Sequence, residues 1–303
     1  MLTEGLVVVH ECLGEEEQLL RRLVVKGPFA KKAKPGQFVA VQVQSSSILS
    51  FDPLLRRPIS IAEISPEQEE ITLLYRIQGR GTEILAQVRC GEQLSILGPL
   101  GKGFSLPAVG ELWLVAGGIG IFPLFALAQS ALAQDLSVRL FWGGDNQSFL
   151  TSAGLSAWQA LGIPIHLSTL DGSLGDKGLV TGPLKERLSQ LSDQTTDQTI
   201  GQTAGQTVGQ TLEQVKQTNN SSPGQIGVAA CGPQKMMQAV TELCMNFAVP
   251  VQVSLEERMG CAVGACLGCV CTLIDEAGTL TRKKVCQDGP VFRGEEVVWD
   301  VSC

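Results

Sequence analysis

What this chain lacks narrows the field first. It has no excess of positive charge: 23 Lys and Arg stand against 30 Asp and Glu in 303 residues, giving a formal charge of -7 and a pI near 5.0. A groove for nucleic acid, which needs clustered cations, is thereby excluded. An unbroken apolar span is also missing. The strongest run, LWLVAGGIGIFPLFALA, is interrupted by Gly117, Gly118, Gly120 and Pro123, so it reads as a buried strand turning into a buried helix and not as a membrane crossing. There is no basic, apolar and small-residue leader, because MLTEGLVVVHECLGEEE breaks its apolar run with His10 and then acid. The expectation is a cytoplasmic protein whose thiols stay reduced. Tyr75 is the only tyrosine. No G-x-G-x-x-G fingerprint occurs either.

What is there falls into textures. Residues 1–105 carry short β-rich runs, GLVVVHEC, QLLRRLVVKG, QFVAVQVQ, ISIAEI and EITLLYRI, separated by turn-rich pieces, and GPLGKGF closes the region. That pattern predicts a small β-barrel. Across 106–250, strands such as ELWLVAGG, SVRLFWGG, PIHLSTL and QIGVAACGP alternate with helical stretches, which predicts a parallel sheet with crossover connections. Residues 192–225 contain a four-residue repeat, DQTT, DQTI, GQTA, GQTV, GQTL. With no aromatics and little apolar surface to bury, this tract is expected to be a flexible surface insertion. An adhesive, Gln-driven role is the lesser alternative.

Residues 251–303 hold the most specific feature. Cys261, Cys266 and Cys269 form a C-x4-C-x2-C run, and Cys286 follows in VCQDGPVF. This spacing is close to the plant-type 2Fe-2S pattern. Gly260, Gly264 and Gly268 lie between the thiols, where a loop wrapped around a cluster has to turn tightly. Structural zinc is the rival, but it usually shows two C-x2-C knuckles, and only Cys266 and Cys269 form one. Cys271 is a spare, expected to be a buried bystander.

Two stretches suit dinucleotides. Arg56-Arg57-Pro58-Ile59-Ser60 places a guanidinium and a hydroxyl on extended backbone. After Tyr75-Arg76 come Gly79, Gly81 and Thr82, with Thr82 a candidate N-cap of a short helix whose free amides can meet phosphate. Tyr75 could stack on a ring. The second stretch is the strand LWLVA running into Gly117, Gly118 and Gly120, ahead of a helix expected to begin near Phe122; Cys231-Gly232-Pro233 repeats the logic at a neighbouring strand. Asp145, after RLFWGG, is placed to prefer NAD over NADP.

Taken in order, RRPIS, YRIQGRGT, GPLGKGF, VAGGIGIFPL, CGPQKMM, CAVGACLGCVC and KVCQDGPVF make the chain resemble the electron-transfer subunits of NAD-dependent, B-type dihydroorotate dehydrogenases, within the ferredoxin-NADP reductase superfamily. The resemblance covers essentially everything but the Gln-Thr tract. It implies a fold of β-barrel FAD domain, α/β parallel-sheet nucleotide domain and small C-terminal 2Fe-2S domain. It implies FAD on Arg57, Pro58, Ile59, Ser60, Leu74, Tyr75, Arg76, Gly81 and Thr82, NAD at the glycine turns, and a cluster on Cys261, Cys266, Cys269 and Cys286. An FMN-containing catalytic subunit would oxidise dihydroorotate, two of each subunit forming a heterotetramer, with electrons passing through the cluster and FAD to NAD+. No side chain of this chain need then be a general acid or base. Phe122 departs from the family pattern, which often has a small residue there. The alternatives are a diaphorase subunit of an NAD(P)H-ferredoxin oxidoreductase or sulfide dehydrogenase complex, and a non-enzymatic zinc-bound scaffold or sensor.

Overall fold

The computed structural model describes residues 1–14, 19–45, 52–108, 110–201 and 226–299. Six antiparallel strands close into a barrel: β1 (Leu2–Cys12), β2 (Leu20–Lys26), β3 (Phe38–Ser45), β4 (Arg57–Ser65), β5 (Glu70–Arg76) and β6 (Gln93–Leu100), in the order β1-β2-β5-β4-β3-β6. Period-two alternation decides which side chains fill it. On β5, Ile71, Leu73 and Tyr75 point inward to a core shared with Val39, Val41 and Ile96, while Leu74 and Arg76 face out. A short helix, α1 (Arg80–Leu85), follows β5.

The second unit is a seven-stranded sheet ordered β10-β9-β8-β7-β11-β12-β15. It comprises β7 (Glu111–Gly117), β8 (Ser137–Gly144), β9 (Ile165–Thr169), β10 (Asp176–Lys177), β11 (Ile226–Cys231) and β12 (Val251–Ser254), all parallel, with β15 (Val291–Arg293) added antiparallel at the edge. Its helices are α2 (Phe125–Leu132), α3 (Gln147–Ser152), α4 (Leu155–Ala160), α5 (Thr181–Gly201) and α6 (Gln234–Asn246). The remaining strands, β13 (Val270–Ile274) and β14 (Leu280–Lys284), form a hairpin beside the cysteine loop. Strand order reverses at β7, with β8 on one side and β11 on the other, so the turns after β7 and β11 open together at a switch point where such sheets bind ligands.

Three details differ from expectation. Helix α2 begins at Phe125, because residues 118–124 form a tighter 3-10 turn around Pro123, which has no N–H to continue an α-helix. Helix α5 runs on to Gly201, into the tract expected to be irregular. Leu184, Leu188 and Leu191 anchor it at helical spacing in the core, and extending an anchored helix costs little per residue. Residues 202–225 lie outside the described residues. Strands β12 and β15 both come from beyond residue 250 yet belong to the nucleotide-type sheet, so the cysteine-bearing segment is stitched to that sheet through Val253 opposite Phe292. No described helix is long and apolar enough to cross a membrane.

Candidate functional site

Two recesses meet where barrel, sheet and cysteine segment come together. The smaller, about 290 Å3, is lined by Arg57, Pro58, Ile59, Ser60, Leu74, Tyr75, Arg76 and Thr82 from the barrel side, by Ile119, Phe122 and Pro123 from the turn after β7, and by Ser254 to Glu257, Met259 and Pro290 from the C-terminal segment. The larger, about 690 Å3, is lined by Gly117, Gly118, Gly120, Gly144, Asp145, Leu170, Leu179 and Gly232, among others. Arg76, Gln78, Ile119, Leu255, Glu256 and Glu257 border both.

In the smaller recess the two arginines of the RRPIS stretch separate. Arg56 is tied into the barrel wall, donating to the Ser95 carbonyl at 2.7 Å and to Ser95 Oγ at 2.9 Å. Arg57 alone borders the recess; it donates to the Leu55 carbonyl at 2.7 Å, and its guanidinium lies against Gly81, where any side chain would collide with it. Ile59 is buried in the barrel core. Tyr75 lies largely inside the barrel, where alternation on β5 buries it with its hydroxyl 2.9 Å from His10 Nε2, and it reaches the smaller recess as part of its wall. Thr82 is not the N-cap. Gly79 holds that position, and Thr82, three residues into the turn, accepts from Gln78 N at 2.9 Å and Gly79 N at 3.3 Å and donates to the Gly79 carbonyl at 2.9 Å. Phe122, where the family pattern often has a small residue, lies buried and borders the smaller recess.

At the switch point, a Cβ on Gly120 would meet the backbone of Cys231 and Gly232, whereas one on Gly118 would meet nothing within 4 Å. Gly118 adopts φ of 56°, and its carbonyl accepts from the buried Trp142 indole at 3.2 Å. Trp142 is a structural support that pattern reading missed, since nothing in SVRLFWGG marks it apart from core. Asp145 is exposed at the rim directly after β8. Burial pushes the Cys231 thiol upward, and Glu256 nearby adds to this, so it is held neutral.

The cysteine loop turns through left-handed backbone at Ala262 and Leu267, both with φ of 59°. Such values in non-glycine residues concentrate at functional sites. Backbone N–H groups of Ala265 and Cys266 each lie 3.3 Å from Cys261 Sγ, and that of Gly268 lies 3.4 Å from Cys266 Sγ. Hydrogen bonds from the backbone of Val263 and then Cys266 hold the Cys261 thiol down at about 6; burial first, then the Cys269 thiol, holds Cys286 up at about 12. Cys266 thus lies beside Cys261 and Cys269 beside Cys286, with Cys261 also near Cys286. Two thiol pairs suit a two-iron cluster, in which each iron takes two protein ligands. Cys271 is buried and borders the larger cavity, apart from these pairs.

Comparison with known proteins decides between the readings. The iron-sulfur cluster binding domain of dihydroorotate dehydrogenase B matches residues 256–298. The dihydroorotate dehydrogenase B (NAD(+)) electron transfer subunit of Bacillus caldolyticus is 38% identical over 271 residues, covering 88% of this chain and 87% of that protein. The chain belongs to this family of electron transfer subunits. Its nucleotide-binding frame is of the ferredoxin reductase kind. The NADH-dependent reduced ferredoxin-NADP oxidoreductase superposes with a TM-score of 0.72 at 25% identity, covering 98% of this chain and 90% of that one. A ferredoxin NADP+ reductase from Neisseria gonorrhoeae shares the fold at a TM-score of 0.55, with 16% identity and coverage of 81% and 91%. Identity thus favours the dihydroorotate dehydrogenase B family over the related oxidoreductase alternative, and the matched iron-sulfur domain replaces the zinc-scaffold reading. The iron-sulfur binding domain, the NAD(+) of the relatives' name and the FAD held by the ferredoxin reductase fold give the cofactors as an iron-sulfur cluster, NAD and FAD, and the recesses and thiols described above fit these groups.

Proposed function

We propose that this chain delivers reducing equivalents from dihydroorotate oxidation to NAD+, in the cytoplasm and in pyrimidine biosynthesis. Its partner in this reading is an FMN-containing catalytic subunit, two of each forming a heterotetramer. The observation that carries it is a junction: the loop holding Cys261 begins two residues after Met259, and Pro290 follows Cys286 by four, and both Met259 and Pro290 wall the smaller recess.

The barrel, residues 1–105, would hold FAD. Arg57 offers a fork-shaped cation to its pyrophosphate, Thr82 braces the turn that places Gly81, and Pro58, Ile59, Ser60, Leu74 and Tyr75 form the wall. Residues 106–250 would hold NAD. The backbone at Gly117, Gly118 and Gly120, with Cys231 and Gly232, offers the approach a pyrophosphate needs, and Asp145 disfavours a 2'-phosphate. Residues 251–303 would hold the 2Fe-2S cluster on Cys261, Cys266, Cys269 and Cys286. When bound, a flavin beside a cluster supplies exchange between single electrons and hydride. The chain's own task is to bind, orient and enclose these groups.

The test is reconstitution. The purified chain should carry one flavin and a two-iron cluster, reduce dyes with NADH in preference to NADPH, and form no orotate. Dihydroorotate-dependent NAD+ reduction should appear on adding an FMN-containing subunit. Orotate formation by this chain alone, or stoichiometric zinc without labile sulfide, defeats the proposal.

A further inference from the structure

Of the four tryptophans, Trp113, Trp142 and Trp158 are sealed in the core, whereas Trp299 is only partly buried and walls the larger cavity. It comes from the C-terminal segment, which is held at that cavity by backbone ties on both sides. Val297 bridges Leu273 on β13, and the Val298 N–H donates to the Thr272 carbonyl at 3.1 Å. The Trp299 carbonyl accepts from Gln234 Nε2 at 3.2 Å, and Gln234 opens α6 directly after the Gly232-Pro233 turn. The segment is thereby clipped between the hairpin that links Cys269 to Cys286 and the turn at the switch point. A large aromatic held half-open on a cavity wall suits a flat ring, and Met236, Met237 and Val298, which line the same cavity, are apolar.

Strand order fixes which half of a dinucleotide meets this ring. Asp145, Leu170 and Leu179 line the cavity beyond β8, β9 and β10, on one side of the glycine turns. Glu256 follows β12 on the other side, and Trp299 is tied there through Gln234, which follows β11. A pyrophosphate at the turns after β7 and β11 therefore sends its two halves in opposite directions. The half that exchanges hydride has to reach the flavin-side recess, and Leu255, Glu256 and Glu257, just past β12, border both recesses. That puts the nicotinamide on the Trp299 side and the adenosine on the Asp145 side. Trp299 lines the larger cavity and not the smaller recess, so it leaves the flavin's place free. We infer that Trp299 packs against the nicotinamide ring of the bound dinucleotide, so that the segment carrying the cluster also completes the nucleotide site.

This rests on the reading of the larger cavity as the NAD site. The test uses the full chain with flavin and cluster in place, titrated calorimetrically with NAD+, nicotinamide mononucleotide and ADP-ribose, alongside FAD content and the visible absorption of the cluster. Trp299→Leu should weaken NAD+ and nicotinamide mononucleotide by roughly 5- to 50-fold, as loss of a stacking aromatic does. ADP-ribose, which lacks the nicotinamide, should stay within about twofold, with flavin and cluster retained. Equal weakening of ADP-ribose overturns the inference, because Trp299 would then only shape the cavity. So does unchanged affinity for all three. If Trp299→Leu does not fold or sheds the cluster, Trp299→Phe makes the same comparison with a smaller ring. A loss of about two- to fivefold confined to the two nicotinamide ligands then supports the inference, and any other pattern overturns it. Wild-type chain that binds neither NAD+ nor ADP-ribose would instead remove the reading of the cavity as an NAD site.

Discussion

Gly118 and Gly120 stand two residues apart and answer to different constraints. Gly120 packs backbone to backbone on Cys231 and Gly232, and neither partner can give way because each lies at the end of a core strand. Gly118 faces open space but has a left-handed φ of 56°, with its carbonyl pinned by Trp142. Gly120→Ala should therefore cost about 1–3 kcal/mol through overpacking, a fall of several degrees in Tm. Gly118→Ala should cost about 1–2 kcal/mol of backbone strain, and should also weaken NAD+ because its methyl enters the cavity. Thermal unfolding with NAD+ titration separates them. A Gly120→Ala protein as stable as wild type would show that the two turns are not in contact.

Helix α1 has only six residues and could not persist alone. The Thr82 hydroxyl closes its first turn by bonding two backbone N–H groups and one carbonyl. Thr82→Val keeps the shape and removes these bonds. It should cost about 1 kcal/mol, the usual worth of a side-chain cap, and it should speed FAD release, since Gly81 and Arg57 are positioned by this turn. Thr82→Ser should restore both. Unchanged FAD release in Thr82→Val would mean the turn does not brace the flavin site. The same element marks the limit of what sequence can tell. Alternation made the barrel strands legible, the strand-helix rhythm made the parallel sheet legible, and cysteine spacing marked the loop. Thr82 was found by its company with glycine, but whether it sits at the N-cap or three residues later depends on a turn whose dihedrals composition does not specify. Tyr75 is marked in the sequence by its residue type alone, whereas its direction depends on which face of β5 the barrel closes over. Trp142, Met259 and Pro290 carry no local signal, because their roles arise from contacts made only after distant segments meet.

At the scale of the whole molecule, the cysteine loop faces two ways. Cys266 is exposed, flanked by Val263 and Leu267 at 51% and 64% exposure, while Cys269 and Cys286 are buried at 2% each. The outer thiol pair thus lies on an apolar surface suited to a partner, and the inner pair leads through Pro290 to the flavin-side recess. The backbone of Lys102, just past the barrel, donates to the Gly289 carbonyl, which joins the inner side to the barrel directly. If the cluster joins the partner's chemistry to the flavin, removing it should divide the activity in two. Cys266→Ser is the suitable variant, because the residue is exposed and its loss costs little packing, yet a hard hydroxyl replaces a soft thiolate poorly on iron. The variant should lose acid-labile sulfide and the visible absorption of the cluster. NADH-to-dye reduction should persist, because the FAD and NAD recesses are built without Cys266. Dihydroorotate-dependent NAD+ reduction with the FMN-containing subunit should fall to background. Cys271→Ser, outside both thiol pairs, should keep the cluster and both activities. If Cys266→Ser retained dihydroorotate-dependent NAD+ reduction, electrons would reach the flavin by a route that bypasses the loop, and the two-faced arrangement would have another purpose.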